Sequence, residues 1–170
     1  MSVQSTQQAK RIRRACGFTL LEVLVALVVL SIGLIGLAGL QSSSLRLNNS
    51  AYMRSQATAL AYDMADRVRT NVDAGTAYDS PTGSETSACA TATGCTAAEM
   101  AQNDMFRWLE QLADILPLGD GAVCLDATPA TAACDGAGDI YVIRVTWDDD
   151  RSGTADVNDP NENIVLSFLP

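Results

Sequence analysis

Gly17-Phe18-Thr19-Leu20-Leu21-Glu22 opens a run that stays apolar to Leu40, and residues 18–40 read FTLLEVLVALVVLSIGLIGLAGL. Glu22 is the single charge in that run. At about 1.5 Å per residue the stretch spans roughly 35 Å as a helix, enough to cross the hydrocarbon core of a bilayer. A secretory signal peptide would carry a shorter apolar region, about 7–15 residues, and end in a small-residue cleavage site. Here polar helical sequence follows instead. A plain signal anchor explains the length but not Glu22, because an acid inside a spanning helix costs a few kcal/mol and calls for a partner or a function.

Outward toward the N-terminus, Lys10, Arg11, Arg13 and Arg14 precede the run, with no acid before Glu22. Without residues 1–17 the chain keeps seven basic against 20 acidic residues, a net charge of −13, and no lysine. A basic flank stays cytoplasmic, so the acidic remainder is expected to be exported. Cys16 precedes the apolar stretch, whereas a lipoprotein cysteine follows one, so it reads as a leader residue lost on processing.

The heptapeptide Cys16-Gly17-Phe18-Thr19-Leu20-Leu21-Glu22 behind a short basic leader resembles the type IV prepilin signal. The resemblance implies that a prepilin peptidase cuts between Gly17 and Phe18 and methylates the new amino terminus at Phe18. It also implies that Glu22 faces the terminal amine of an adjacent subunit. A buried carboxylate and a buried ammonium are each costly alone, and pairing them sets axial register.

Beyond the membrane run, Met53, Ala57, Leu60, Met64 and Val68 share one helical face, with Arg54, Asp63, Asp66, Arg67 and Arg69 largely elsewhere. One helix from Phe18 to about Thr70 is expected, with Gly75 as a stop. Gly33, Gly36 and Gly39 either soften its middle or allow close helix packing. Residues 73–96 are rich in Ala, Thr, Ser and Gly and read as a surface loop. Thr96-Ala97-Ala98-Glu99 fits a capping box. It starts a second helix with Met105, Trp108, Leu109, Leu112, Ile115 and Leu116 on its apolar face, ended by Pro117 and Gly119. Asp104, Glu110 and Asp114 fall on its polar face and are expected to be solvated. Tyr141, Ile143, Val145 and Trp147 alternate with Arg144 and Thr146 as a half-buried strand. Ile164, Leu166 and Phe168 repeat the pattern, and Val123-Cys124-Leu125 adds a short strand. The expected fold is α+β: a long N-terminal helix packed on a small domain with a second helix and a short antiparallel sheet.

Four cysteines remain after residue 17: Cys89, Cys95, Cys124 and Cys134. An even number in a small exported domain points to disulfides, and three connectivities are open. The local pairs Cys89–Cys95 and Cys124–Cys134 are favoured because each closes a short polar loop. Zinc is disfavoured, since the spacings match no short knuckle and the chain has no His. From Asp148 onward, Asp148, Asp150, Ser152, Asp156 and Asp159 occupy oxygen-ligand positions of a calcium loop, with Gly153 at its turn. The last ligand is Asp instead of a reaching Glu and the preceding segment is strand, so a solvated acidic hairpin loop is the competing reading.

No catalytic site emerges. The absence of His removes Ser-His-Asp, Cys-His and His-metal chemistry, and no phosphate-cradling glycine loop or metal-ligand cluster is present. No cofactor, resident metal or small-molecule substrate is expected. The net charge of −9 excludes nucleic acid as a partner, which would need clustered Lys and Arg.

The resemblance extends further. The stretches Gly33-Leu34-Ile35-Gly36-Leu37-Ala38-Gly39-Leu40-Gln41, Arg54-Ser55-Gln56-Ala57 and Leu60-Ala61-Tyr62-Asp63-Met64-Ala65-Asp66-Arg67-Val68-Arg69-Thr70-Asn71 are similar to the PilV family of minor pilins, the type IV pilus modification proteins. Phe106 to Leu112, Leu116-Pro117 and Val145-Thr146-Trp147 resemble it more loosely, and residues 72–96 carry no usable family signal. The resemblance implies a cleaved leader (1–17), a membrane and filament-core helix (18–40), its periplasmic continuation (41–72) and a small disulfide-containing periplasmic head (73–170). It implies a single-pass inner-membrane protein that primes pilus assembly with other minor pilins and the major pilin, and then sits in the pilus, at its tip. Two other readings share parts of the pattern. A type II secretion pseudopilin has the same signal, and a bitopic membrane protein unrelated to filaments would keep its leader.

Overall fold

The computed structural model describes residues 17–79, 82–128 and 134–170, so Lys10, Arg11, Arg13, Arg14 and Cys16 of the expected leader lie outside the described residues. Among the described residues the elements run α1 (Leu20–Thr70), α2 (Ala97–Ile115), β1 (Asp120–Leu125), β2 (Tyr141–Thr146) and β3 (Asn163–Phe168). Two 3-10 segments, Val72–Tyr78 and Ser87–Ala90, lie between the helices. This is the α+β fold that the periodicities predict.

The chain divides after Leu45 into two compact units. In the first, every described residue is exposed, including Leu20 at 80% and Ile35 at 73%. An apolar surface this continuous marks a membrane or protein contact. Among the described residues α1 alone is long and apolar enough to cross a membrane. It runs unbroken through Gly33, Gly36 and Gly39, where an added Cβ would meet nothing within 4 Å.

The second unit, Arg46–Pro170, carries the core. Its part of α1 buries Met53, Ala57, Ala61, Met64, Ala65 and Val68, spaced to form one stripe. From α2 come Ala101, Met105, Trp108 and Leu112, again one face. Trp108 is wholly buried, and its indole Nε1–H donates to the Leu60 carbonyl at 2.9 Å, which satisfies the ring's one polar group. Gly121 of β1 lies against that ring: a Cβ there would collide with the indole. Ile115, expected on the buried face, is 45% exposed, while the following Leu116 closes the core after the helix has ended.

The sheet is an antiparallel meander, β1-β2-β3, with Val123 opposite Ile143 and Ile143 opposite Leu166. β2 departs from the expected alternation. Tyr141, Ile143 and Val145 are buried as predicted, but Val142 and Thr146 on the opposite face are buried too. As the central strand β2 has neighbours on both edges, and Val142 pairs with Cys124, whose disulfide shares that face.

The described parts of the 73–96 stretch, residues 73–79 and 82–96, hold more regular structure than a surface loop. Tyr78 is fully buried at the end of the first 3-10 segment. Gly75 interrupts that segment at φ 52, a conformation costly for other residues. The helix has already ended at Thr70, so Gly75 turns the connection and does not stop α1.

Candidate functional site

Gly17, Phe18 and Thr19 precede the helix, and Phe18 is 82% exposed. Thr19 occupies the N-cap position. Its carbonyl accepts the Glu22 and Val23 N–H groups at 3.1 and 3.3 Å. Its Oγ1 also accepts the Glu22 N–H at 3.3 Å, occupying one of the donors a helix start leaves orphaned. Thr19-Leu20-Leu21-Glu22 thus spells the same capping-box pattern as Thr96-Ala97-Ala98-Glu99. At Thr96 the box is closed: Thr96 Oγ1 accepts the Glu99 N–H at 3.3 Å, and the Glu99 carboxylate accepts the Thr96 N–H at 2.8 Å. The Thr96 N–H, and then the Thr96 hydroxyl donating to the same carboxylate at 2.8 Å, hold Glu99 below its ordinary titration range. At Thr19 the return bond is absent, and among the described residues the Glu22 carboxylate has no ion-pair partner. Farther along, the Ser31 hydroxyl donates to the Leu27 carbonyl at 2.7 Å, so this polar group asks nothing of an apolar surrounding.

A second polar cluster lies in the Arg46–Pro170 unit. The buried Tyr78 hydroxyl donates to Asp104 Oδ2 at 2.8 Å, and Asn71 Nδ2 donates to the Ala97 carbonyl at 2.9 Å. Arg67 reaches Asp63 at 2.9 Å and Asp104 at 3.5 Å. Burial, with Asp104 close by, drives the Tyr78 hydroxyl well above its ordinary pKa. Asp104 therefore departs from the solvated role expected for it: its side chain is only 16% exposed and ties Tyr78 to α2. Glu110 and Asp114 do remain at the surface. An open pocket of about 400 Å³ is lined by Arg67, Asn71, Cys95, Met100 and Asp104. With its guanidinium already committed to two carboxylates, it offers no free anion site.

Cys89 pairs with Cys95 and Cys124 with Cys134, at Cα separations of 4.7 and 6.0 Å. In the acidic segment between β2 and β3, the structure gathers a different set from the one the calcium-loop spacing picks out. Carboxylate oxygens of Asp148, Asp150 and Glu162 lie within 4.8 Å of one another. Asp148 accepts the Ser152 and Gly153 N–H groups at 3.0 and 2.9 Å, and Glu162 accepts those of Asp149 and Asp156 at 3.2 and 2.8 Å. Asp156 and Asp159 instead close local turns onto Asn158 and Asn161. Glu162, which spacing alone did not single out, is the buried centre of the segment at 4% exposure. Its position just before β3 was the available signal. The arrangement locks the loop through backbone N–H groups, and the Ser152 N–H holds the exposed Asp150 below its ordinary pKa.

Two family profiles match the chain. One, described as Type IV pilin Tt1218, covers residues 39–106. The other, the prokaryotic N-terminal methylation motif, covers residues 12–38. Neither names the PilV family. The first runs through residues 72–96, where motifs alone gave no family signal, and stops within α2, so the sheet lies outside it. No curated protein and no solved structure matches the chain.

Proposed function

We propose that this chain, which carries a type IV pilin domain behind a prepilin-type methylation motif, is a minor pilin of the PilV kind that primes assembly of a type IV pilus. Pilins are structural proteins, and the work here is association. A prepilin peptidase removes residues 1–17 by cutting after Gly17 and methylates Phe18. The exposed apolar part of α1 sits first in the inner membrane, with the head in the periplasm, and then enters the filament, near its tip. Cys89–Cys95 and Cys124–Cys134 form on export and staple the head. Partners are the other minor pilins and the major pilin.

One observation carries this reading. Glu22 stands in the first turn of an apolar, exposed helix with its carboxylate uncommitted among the described residues. A lone carboxylate there is costly in lipid, and the new cationic terminus of a neighbouring subunit offsets that cost while fixing register. The test is to delete the protein and complement with the wild type or with Glu22→Ala, then count surface pili. Wild type restores piliation; Glu22→Ala is processed to the mature mass but restores few pili. Full restoration by Glu22→Ala ends the register role, and undiminished piliation in the deletion strain ends the priming role.

A further inference from the structure

The start of α1 bears on the cut as well as on Glu22. We propose that Thr19 is a positioning residue for leader removal: by capping α1 it halts the helix before the Gly17–Phe18 bond and leaves that bond in non-helical chain. This rests on the cut after Gly17 proposed above.

The helix begins at Leu20, and Gly17, Phe18 and Thr19 lie outside it. A peptide bond inside a helix has its carbonyl and N–H tied to residues four away, so a peptidase cleft cannot take it without unwinding a turn. Cleavage accordingly concentrates where the backbone is free of such bonds. Something must stop α1 at this point, because in an apolar medium every unbonded backbone donor is costly and a helix gains by adding turns. Thr19 supplies the stop. Its Oγ1 takes the Glu22 N–H that a further helical turn would otherwise have satisfied. Only this half of the capping box is made. The other half would tie up the Glu22 carboxylate, as it does that of Glu99. The side chain at residue 19 therefore serves two ends, an open cut site and a free acid three residues on.

The test separates capping from side-chain shape. Thr19→Val keeps the shape and removes the acceptor; Thr19→Asn changes the shape and keeps one. In cells making the full-length chain, pulse-labelled precursor is followed to the mature form. The Val variant should be processed roughly fivefold more slowly, in line with the loss of an N-cap, and the Asn variant at the wild-type rate. Backbone chemical shifts at Phe18 in the full-length precursor, held in detergent micelles, give an independent readout. They should turn helical in the Val variant alone. Equal processing of wild type and the Val variant overturns the role of Thr19, and so does an Asn variant as slow as the Val one. A wild-type chain that keeps residues 1–17 overturns the cut and this role together, an outcome that its mass distinguishes from the others.

Discussion

Two helix starts in this chain share one spelling, Thr-x-x-Glu, and differ in how far the pattern is carried out. At α2 both hydrogen bonds of the capping box are present, and Glu99 is committed to Thr96. At α1 the threonine caps but the glutamate does not answer. The surroundings differ in the same sense. Behind Thr96 the helix buries Ala101, Met105, Trp108 and Leu112 within the core, whereas behind Thr19 every residue through Leu45 is exposed. A helix inside a folded head gains from closing its own polar groups, as Glu99 does. One built to meet other chains leaves a charge and an apolar surface open for them. The same local pattern thus serves self-sufficiency in one place and association in the other.

The largest expected effect comes from breaking what holds α2 apart from its cap. Trp108→Ala removes a wholly buried ring together with its bond to the Leu60 carbonyl. It should cost the head about 3–5 kcal/mol, seen as a lower denaturant midpoint in unfolding followed by circular dichroism. If the cap alone fixed α2, the midpoint would barely move.

The cap comes next. Thr96→Ala removes the hydroxyl that accepts the Glu99 N–H and donates to the Glu99 carboxylate, keeps the backbone N–H on that carboxylate, and should cost about 1 kcal/mol, while Thr96→Ser should cost little. The same measurement on Thr19→Ala should show no change in head unfolding, because Thr19 lies in the other unit. An equal loss at both threonines would erase the distinction between the two starts.

Much of this was legible in the sequence because it rests on periodicity or on local pairing. The apolar run, the stripe from Met53 to Val68, the Thr96 box and the strand around Ile143 are each fixed by neighbours a few residues away. Where the reading missed, long-range contact decided. Asp104 has the spacing of a solvated acid and is claimed by Tyr78 from 26 residues earlier. Val142 and Thr146 sit on the polar side of an alternating strand and are buried because β2 is central and the Cys124–Cys134 bridge shares that face. Glu162 lies outside the twelve-residue window of a calcium loop, and only the fold of the hairpin brings it to Asp148. At the prepilin-type segment, Gly17, Phe18 and Glu22 were conspicuous as a motif. The cap by Thr19 is spelled by the same Thr-x-x-Glu spacing as that of Thr96.

The smallest effect concerns the charge that closes the second box. Glu99 titrates below its ordinary value of 4.5 because the Thr96 backbone N–H and then the Thr96 hydroxyl hold its charged form. A depressed pKa in the folded state adds stability above the unfolded value, and that contribution disappears as pH falls through the folded value. Glu99→Gln keeps an acceptor for the Thr96 N–H but has no proton to gain. Wild type should therefore be slightly more stable than Glu99→Gln at neutral pH, and the difference should close as the medium is taken below 4.5. Glu22→Gln should leave head unfolding unchanged, because Glu22 lies in the other unit. A wild-type advantage over Glu99→Gln that persisted unchanged in acid would mean the carboxylate acts through shape and not through charge, and the contrast with Glu22 would then rest on the missing hydrogen bond alone.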